Sequence, residues 1–283
     1  MMIFLAASCS LLPGSGARAD DWKSPTPIGK TPPGENPLQP TTVSESDWWR
    51  PEVNTTWQWQ LDGESELSFD VDLYDLDLFE TKPDLLMNLK ADGRVAVCYL
   101  SAGSWEDWRP DADMFPSEVL GKKYQGWPGE KWLDIRQIDL LAPILRNRLD
   151  ECAAKGFVGV EPDNIDGYTN NTGFPLSYED QLAFNIWLAE EAHLRGLSIG
   201  LKNDPEQVLD LLPHFDWALT EDCFDQDWCE EMLPFIQAGK PVFAAEYTDT
   251  GIVLADICPL AREMGFSLIL KNRELDAYRE ACP

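Results

Sequence analysis

Eight short apolar runs, most of them separated by a helical pattern, constrain this chain more than any other feature of its sequence. They are Thr56–Leu61, Val71–Leu76, Val95–Leu100, Phe157–Glu161, Ser198–Lys202, Trp217–Thr220, Val242–Glu246 and Ser267–Leu270. Runs of this length without strict alternation suit strands buried on both faces, as in a parallel sheet covered by helices. Between them lie Leu85–Lys90, Ala142–Ala154, Tyr178–Leu194, Pro205–Leu212, Asp227–Ala238 and Ile252–Met264, which read as helices. The clearest is Tyr178–Leu194, with Leu182, Ile186, Ala189 and His193 at helical spacing and Gly196 placed to cap it. Eight strands alternating with helices predict an α/β fold, a (β/α)8 TIM barrel. Residues 62–70 are too few for an ordinary crossover helix, so the first helix is expected to be reduced or missing.

The ends of these strands are acidic. Gly159-Val160-Glu161-Pro162-Asp163-Asn164-Ile165-Asp166-Gly167-Tyr168 passes from an apolar run into three carboxylates, an amide and a tyrosine. Side chains alternate along a strand, so Glu161 and Asp163 share one face if Pro162 does not twist the chain. Trp217–Asp222 and Val242–Tyr247 repeat the pattern and bring Glu221 and Glu246. Counting back from Glu221 selects Leu219 and Trp217 as inward residues. If Tyr99 and Ser101 point inward, Cys98 points outward, toward helical Cys152. Barrel active sites gather where strands end, at the C-terminal face. A single acid there commonly caps the next helix or faces water; several acids converging from different strands are harder to explain that way. Two such carboxylates are what glycosidic cleavage needs, one to attack or to activate water and one, protonated, to assist the leaving oxygen.

Charge narrows the partners. With 50 acidic against 22 basic residues, a formal charge of −28 and a pI near 4.2, the chain is repelled by nucleic acid. Such a surface either keeps an exported protein soluble or draws in a cationic substrate. Ile3–Leu12 is apolar but too short to span a bilayer, and Ala17-Arg18-Ala19 fits a cleavage site, so residues 1–19 read as an export signal. Lipid modification at Cys9 is the alternative. Residues 20–47 are rich in proline and read as a tether, leaving residues 48–283 as the folded domain. Without Cys9 six cysteines remain, an even number that suggests disulfides in an exported protein. The expected pairs are Cys98–Cys152, Cys223–Cys229 and Cys258–Cys282, out of 15 possible arrangements. The cysteine spacing matches no zinc pattern, there are two histidines, and no G-x-S-x-G elbow is present. No metal site is expected.

The order of WQWQLDG (57–63), VDLYDLDLFET (71–81), VAVCYLSAGSWEDWRPD (95–111), GVEPDNIDGY (159–168), GLKND (200–204), TED (220–222) and AEYTD (245–249) resembles glycoside hydrolase family 114, the endo-α-1,4-polygalactosaminidases and their relatives. The resemblance spans roughly residues 48–280. It implies a TIM barrel, extracellular endo-action on partly deacetylated α-1,4-linked galactosamine polymers, and no metal or organic cofactor. It also implies catalytic carboxylates at Asp163 and Glu221. The expected roles are Asp163 as nucleophile and Glu221 as acid/base, with Lys202 holding Asp163 ionised while nearby acids keep Glu221 protonated. Asp75, Glu161, Asp166, Glu246 and Asp249 are candidates for binding sugar ammonium groups, and Tyr99, Trp105, Tyr168 and Tyr247 for sugar faces; Lys202 and Asn203 complete the expected substrate site. A retaining monomer is expected. The competing expectation is an inactive barrel that binds a cationic amino-sugar polymer without turnover.

Overall fold

The computed structural model describes residues 48–283, so the expected export signal (1–19) and tether (20–47) lie outside the described residues. The elements run β1 (Trp57–Gln60), β2 (Leu73–Asp77), α1 (Pro83–Ala91), β3 (Val95–Ser101), β4 (Ser104–Glu106), β5 (Leu120–Lys123), β6 (Glu130–Leu133) and α2 (Ile138–Lys155). They continue with β7 (Gly159–Asp163), α3 (Tyr178–His193), β8 (Ser198–Lys202), α4 (Val208–Leu211), β9 (Trp217–Glu221), α5 (Leu233–Gln237), β10 (Val242–Tyr247), α6 (Leu254–Met264), β11 (Ser267–Lys271) and β12 (Glu280–Ala281). All eight expected strands are present, shifted by a residue or two at their ends. Helix α3 begins where a capping box fixes it: Asp180 N–H donates to Ser177 Oγ at 3.1 Å, and Ser177 N–H returns to Asp180 Oδ2 at 2.9 Å.

One sheet dominates, in the order β1-β2-β3-β7-β8-β9-β10-β11-β12. Its pairs are parallel except β11 with β12. The sheet curls until β1 reaches β11, with Trp57 Nε1 donating to Ser267 O at 2.8 Å. Leu61 N–H donates to Leu275 O at 2.9 Å and Arg279 Nε to Trp57 O at 2.8 Å, so the C-terminal segment seals the same seam.

Parity sorts the side chains into two cores. Outside the sheet, Leu76, Cys98, Leu100 and Val160 pack against the helices with Leu145, Leu149 and Phe184. Inside, Trp57, Trp59, Leu73, Val97, Trp217, Leu219, Phe243, Ala245, Tyr247 and Ile269 fill the bottom of the curled sheet. The Trp217 indole fits only because a glycine faces it: a Cβ on Gly200 would lie 2.3 Å from its ring. Truncating Trp217 to alanine would empty this floor at a cost of about 3–5 kcal/mol.

Three disulfides pair the six cysteines as expected: Cys98–Cys152, Cys223–Cys229 and Cys258–Cys282, with Cα–Cα distances of 6.0, 4.8 and 5.5 Å. The first ties β3 to α2, consistent with Cys98 facing outward. No helix among the described residues is long and apolar enough to cross a membrane.

The sequence gives no warning of β4, β5 and β6. They form a small antiparallel sheet, ordered β4-β6-β5, inserted between β3 and α2. Strands such as SWE and EKWL are too short to show a period of two. This insert forms one wall of the site described next.

Candidate active site

Asp163, Lys202 and Glu221 are the final residues of β7, β8 and β9. Each is followed at once by a left-handed residue: Asn164 (φ 63°), Asn203 (φ 52°) and Asp222 (φ 53°). Asn and Asp tolerate this region better than other residues with a Cβ, which accounts for their repeated use here. The abrupt turn leaves the strand-end side chain at the mouth and returns amides toward it. Asn164 N–H donates to Asp163 Oδ1 at 2.9 Å. Asn203 grips the next strand from two sides, accepting from Glu221 N–H at 2.9 Å and donating to Glu221 Oε2 at 3.3 Å.

Lys202 is the hub. Its buried ammonium lies 2.8 Å from Glu161 Oε1, 2.9 Å from Asp163 Oδ1 and 3.2 Å from Glu221 Oε2, over the face of Trp59 at 4.7 Å. Burial alone would lower its pKa, but the surrounding carboxylates of Asp163, Glu161 and Glu221 push it well above the usual lysine range. Lys202 touches both mouth carboxylates, so it does not by itself separate their roles as expected from sequence. What differs is the remaining partners: Tyr99 Oη donates to Asp163 Oδ2 at 3.0 Å, while Tyr247 Oη donates to Glu221 Oε1. Burial raises both phenols well above their ordinary pKa, which keeps them protonated donors. Because one ammonium holds both, the facing oxygens of Asp163 and Glu221 lie no more than about 6.1 Å apart.

Three other residues expected to bind sugar lie away from the mouth. Asp75 and Glu161 are 1% and 0% exposed, and neither lines the cavity. Asp75 Oδ1 and Glu161 Oε2 have no hydrogen-bond partner, and burial raises both acids, Glu161 to about 7 and Asp75 well above the carboxylate range with Glu161 as the second cause. Two buried acids beside one lysine cannot both ionise cheaply. Glu246 faces outward, since Phe243, Ala245 and Tyr247 take the inner positions. It accepts from Phe224 N–H at 2.8 Å and Asp225 N–H at 3.3 Å, and so ties down the loop closed by Cys223–Cys229.

Above these residues opens a cavity of about 1250 Å³. Asp163, Glu221, Tyr99, Asp166, Tyr168, Lys202, Asn203 and Tyr247 all line it. Asp166 is raised to about 6 by burial and by Asp163, and Asp204 to about 8, mainly by burial. Tyr168 Oη donates to Asp204 Oδ1 at 3.1 Å. Asp249 instead pairs with Arg273, at 2.8 Å, near the surface. The insert adds Glu106, Arg109, Tyr124, Trp127 and Glu130, which sequence reasoning did not single out. Among the described residues no group of three or more His, Cys, Asp or Glu is placed to hold a metal ion.

The family model for glycoside-hydrolase family GH114 matches residues 38–283. The chain belongs to GH114. It is a glycoside hydrolase of the polygalactosaminidase type. Among solved structures it is similar to Aspergillus fumigatus Ega3 in complex with galactosamine, at 38% identity over 83% of this chain and 97% of that one, with a TM-score of 0.79. The glycoside hydrolase domain of PelA from Pseudomonas aeruginosa shares the fold at 17% identity, covering 80% of this chain and 98% of its own, with a TM-score of 0.64. An uncharacterized protein of Deinococcus radiodurans is 25% identical over 93% of this chain and 91% of its own. In this GH114 chain the strand-end motifs of the sequence therefore coincide with an acidic cavity.

Proposed function

We propose that this GH114 protein is a secreted, endo-acting and retaining glycosidase that cleaves α-1,4-linked galactosamine-containing polysaccharide, with Asp163 as nucleophile and Glu221 as acid/base. The observation that carries the reading is the pair of partly exposed carboxylates held by one buried ammonium at the mouth of an acidic cavity. Asp163 is pinned by Lys202, Tyr99 and the Asn164 amide, which suits a group that must stay fixed while it attacks an anomeric carbon. Glu221 leans on Tyr247 and Asn203, donors that survive its own protonation and deprotonation. The short separation supports attack by Asp163 rather than by a water between the two. The galactosamine bound to Ega3 supports an amino-sugar substrate, and the charge of −28 supports a cationic one. Three disulfides support an oxidising, extracellular setting. The same reading takes the curled sheet as a (β/α)8 barrel with its first crossover helix reduced, and residues 48–283 as a single catalytic domain.

The test is a panel of galactosamine and glucosamine polymers of graded acetylation, incubated with pure protein and followed by new reducing ends. Release from deacetylated α-1,4-galactosamine polymer is expected. Binding of that polymer without release would instead indicate an inactive barrel.

A further inference from the structure

The β4–β6 insert contains a pairing that a sheet ordinarily avoids. Glu106 on β4 and Glu130 on β6 stand directly opposite each other across an antiparallel ladder. Like charges in that position are destabilising. Both side chains are buried, at 2% and 8% exposure, and both line the cavity. The nearby cation, Arg109, is already shared: its Nη2 lies 2.8 Å from Glu106 Oε1 and 2.7 Å from Asp77 Oδ2. Glu130 Oε2 accepts only a neutral hydroxyl, Ser104 Oγ at 2.9 Å. Glu106 Oε2 accepts nothing. Asp77 and Glu106 therefore share one guanidinium, Glu130 makes no ion pair among the described residues, and a buried acceptor is left over. Burial raises the pKa of both glutamates, Glu106 despite its ion pair with Arg109 and Glu130 to about 8. Residues that break a local rule at a cavity wall are expected to serve the ligand.

We propose that Glu106 and Glu130 form the subsite for a sugar ammonium group, and that this pair makes the enzyme prefer free-amine residues over N-acetylated ones. The inference rests on the hydrolase reading above and assigns amine recognition to the insert rather than to the buried acids beneath Lys202. A compact ammonium carries three donors and a full charge, enough to bridge two carboxylates by charge-assisted hydrogen bonds. An acetamido group offers one neutral N–H and added bulk, and leaves one glutamate unpaired.

The experiment compares wild type with Glu130→Gln, which keeps the acceptor for Ser104 and removes the charge. Kinetics are measured on deacetylated and on N-acetylated α-1,4-galactosamine oligomers, and binding of both oligomers by calorimetry. The ratio of kcat/KM for deacetylated over acetylated oligomer is expected to fall at least about tenfold, chiefly through KM, with an unaltered melting temperature. Glu130→Asp, which retains the charge, should recover part of that ratio, and it carries the test if Glu130→Gln does not fold. An unchanged ratio, or equal losses on both oligomers, overturns the proposal. If wild type cleaves neither oligomer, the hydrolase reading fails on its own, and calorimetry still decides: equal affinity of wild type and Glu130→Gln for the deacetylated oligomer overturns the subsite.

Discussion

Replacing Lys202 by methionine should be the most damaging single change at the active site that leaves its shape intact. Methionine fills the space of the lysine stem over Trp59, so the loss is chiefly of charge. The ammonium serves Glu161, Asp163 and Glu221 at 2.8, 2.9 and 3.2 Å, and the lysine is only 2% exposed. Removing one partner of a buried ion pair costs about 3–5 kcal/mol, because the other charge stays behind without compensation. In a domain of this size each kcal/mol moves Tm by about 2–4 °C, so a fall of roughly 6–20 °C is expected near neutral pH. The pH dependence has a definite sign. With Lys202 present, its folded pKa lies above the unfolded value, so its contribution is complete at neutral pH and is lost only as pH rises through that folded value. In Lys202→Met the stranded Glu161 keeps a folded pKa above its unfolded one and loses the ammonium that lowers it. Such groups destabilise above the folded pKa, and the penalty fades as pH falls through it. Glu161, at about 7 even beside Lys202, moves higher still. The stability deficit of the variant should therefore shrink between pH 8 and pH 5. Scanning calorimetry across that range is the assay. A Tm within about 2 °C of wild type at pH 7.5, or a deficit that widens with acid, would refute the account of Lys202 as the hub.

Three further outcomes follow from the same structure. NMR at the earliest time points of hydrolysis should show α-anomeric product, given a separation of no more than about 6.1 Å between the facing oxygens of Asp163 and Glu221; β-product would remove Asp163 from the nucleophile's role. Apparent KM on a cationic polymer should rise with added salt, since attraction between exposed charges is screened over about 8 Å at physiological ionic strength; a salt-independent KM would assign the −28 charge to solubility alone. Thiol labelling of native residues 20–283 should find no free cysteine, and reduction of Cys223–Cys229 should lower activity before it lowers the melting temperature, because that bridge closes the loop directly after Glu221.

The strands were legible because runs such as VAVCYL and WALT are continuous and apolar, a pattern that burial on both faces imposes. Parity then placed Trp217, Leu219 and Glu221 inward and Cys98 outward, and register through Pro162 brought Asp163 to the mouth opposite Ser101. Parity also turns Glu246, one residue before inward Tyr247, to the outer face. Depth is what parity cannot supply. Asp75 and Glu161 point inward like Asp163, yet they sit a layer lower, sealed beneath Lys202. The insert was illegible for a different reason. Its strands are three or four residues long, without alternation, and the apposition of Glu106 with Glu130 exists only once β4 and β6 pair. Long-range pairing of that kind leaves no local trace in the sequence.

The central claim, that Asp163 and Glu221 together break the glycosidic bond, is tested most directly by steady-state rates of Asp163→Asn and Glu221→Gln on deacetylated α-1,4-galactosamine polymer. Both substitutions are nearly isosteric, and both carboxylates are partly exposed, so melting temperatures near wild type provide the control for folding. Each variant should lose at least roughly 10²-fold in kcat, the lower end for a positioned acid or base. A rate within a few-fold of wild type in either variant would contradict the account and transfer the chemistry to another carboxylate of the cavity.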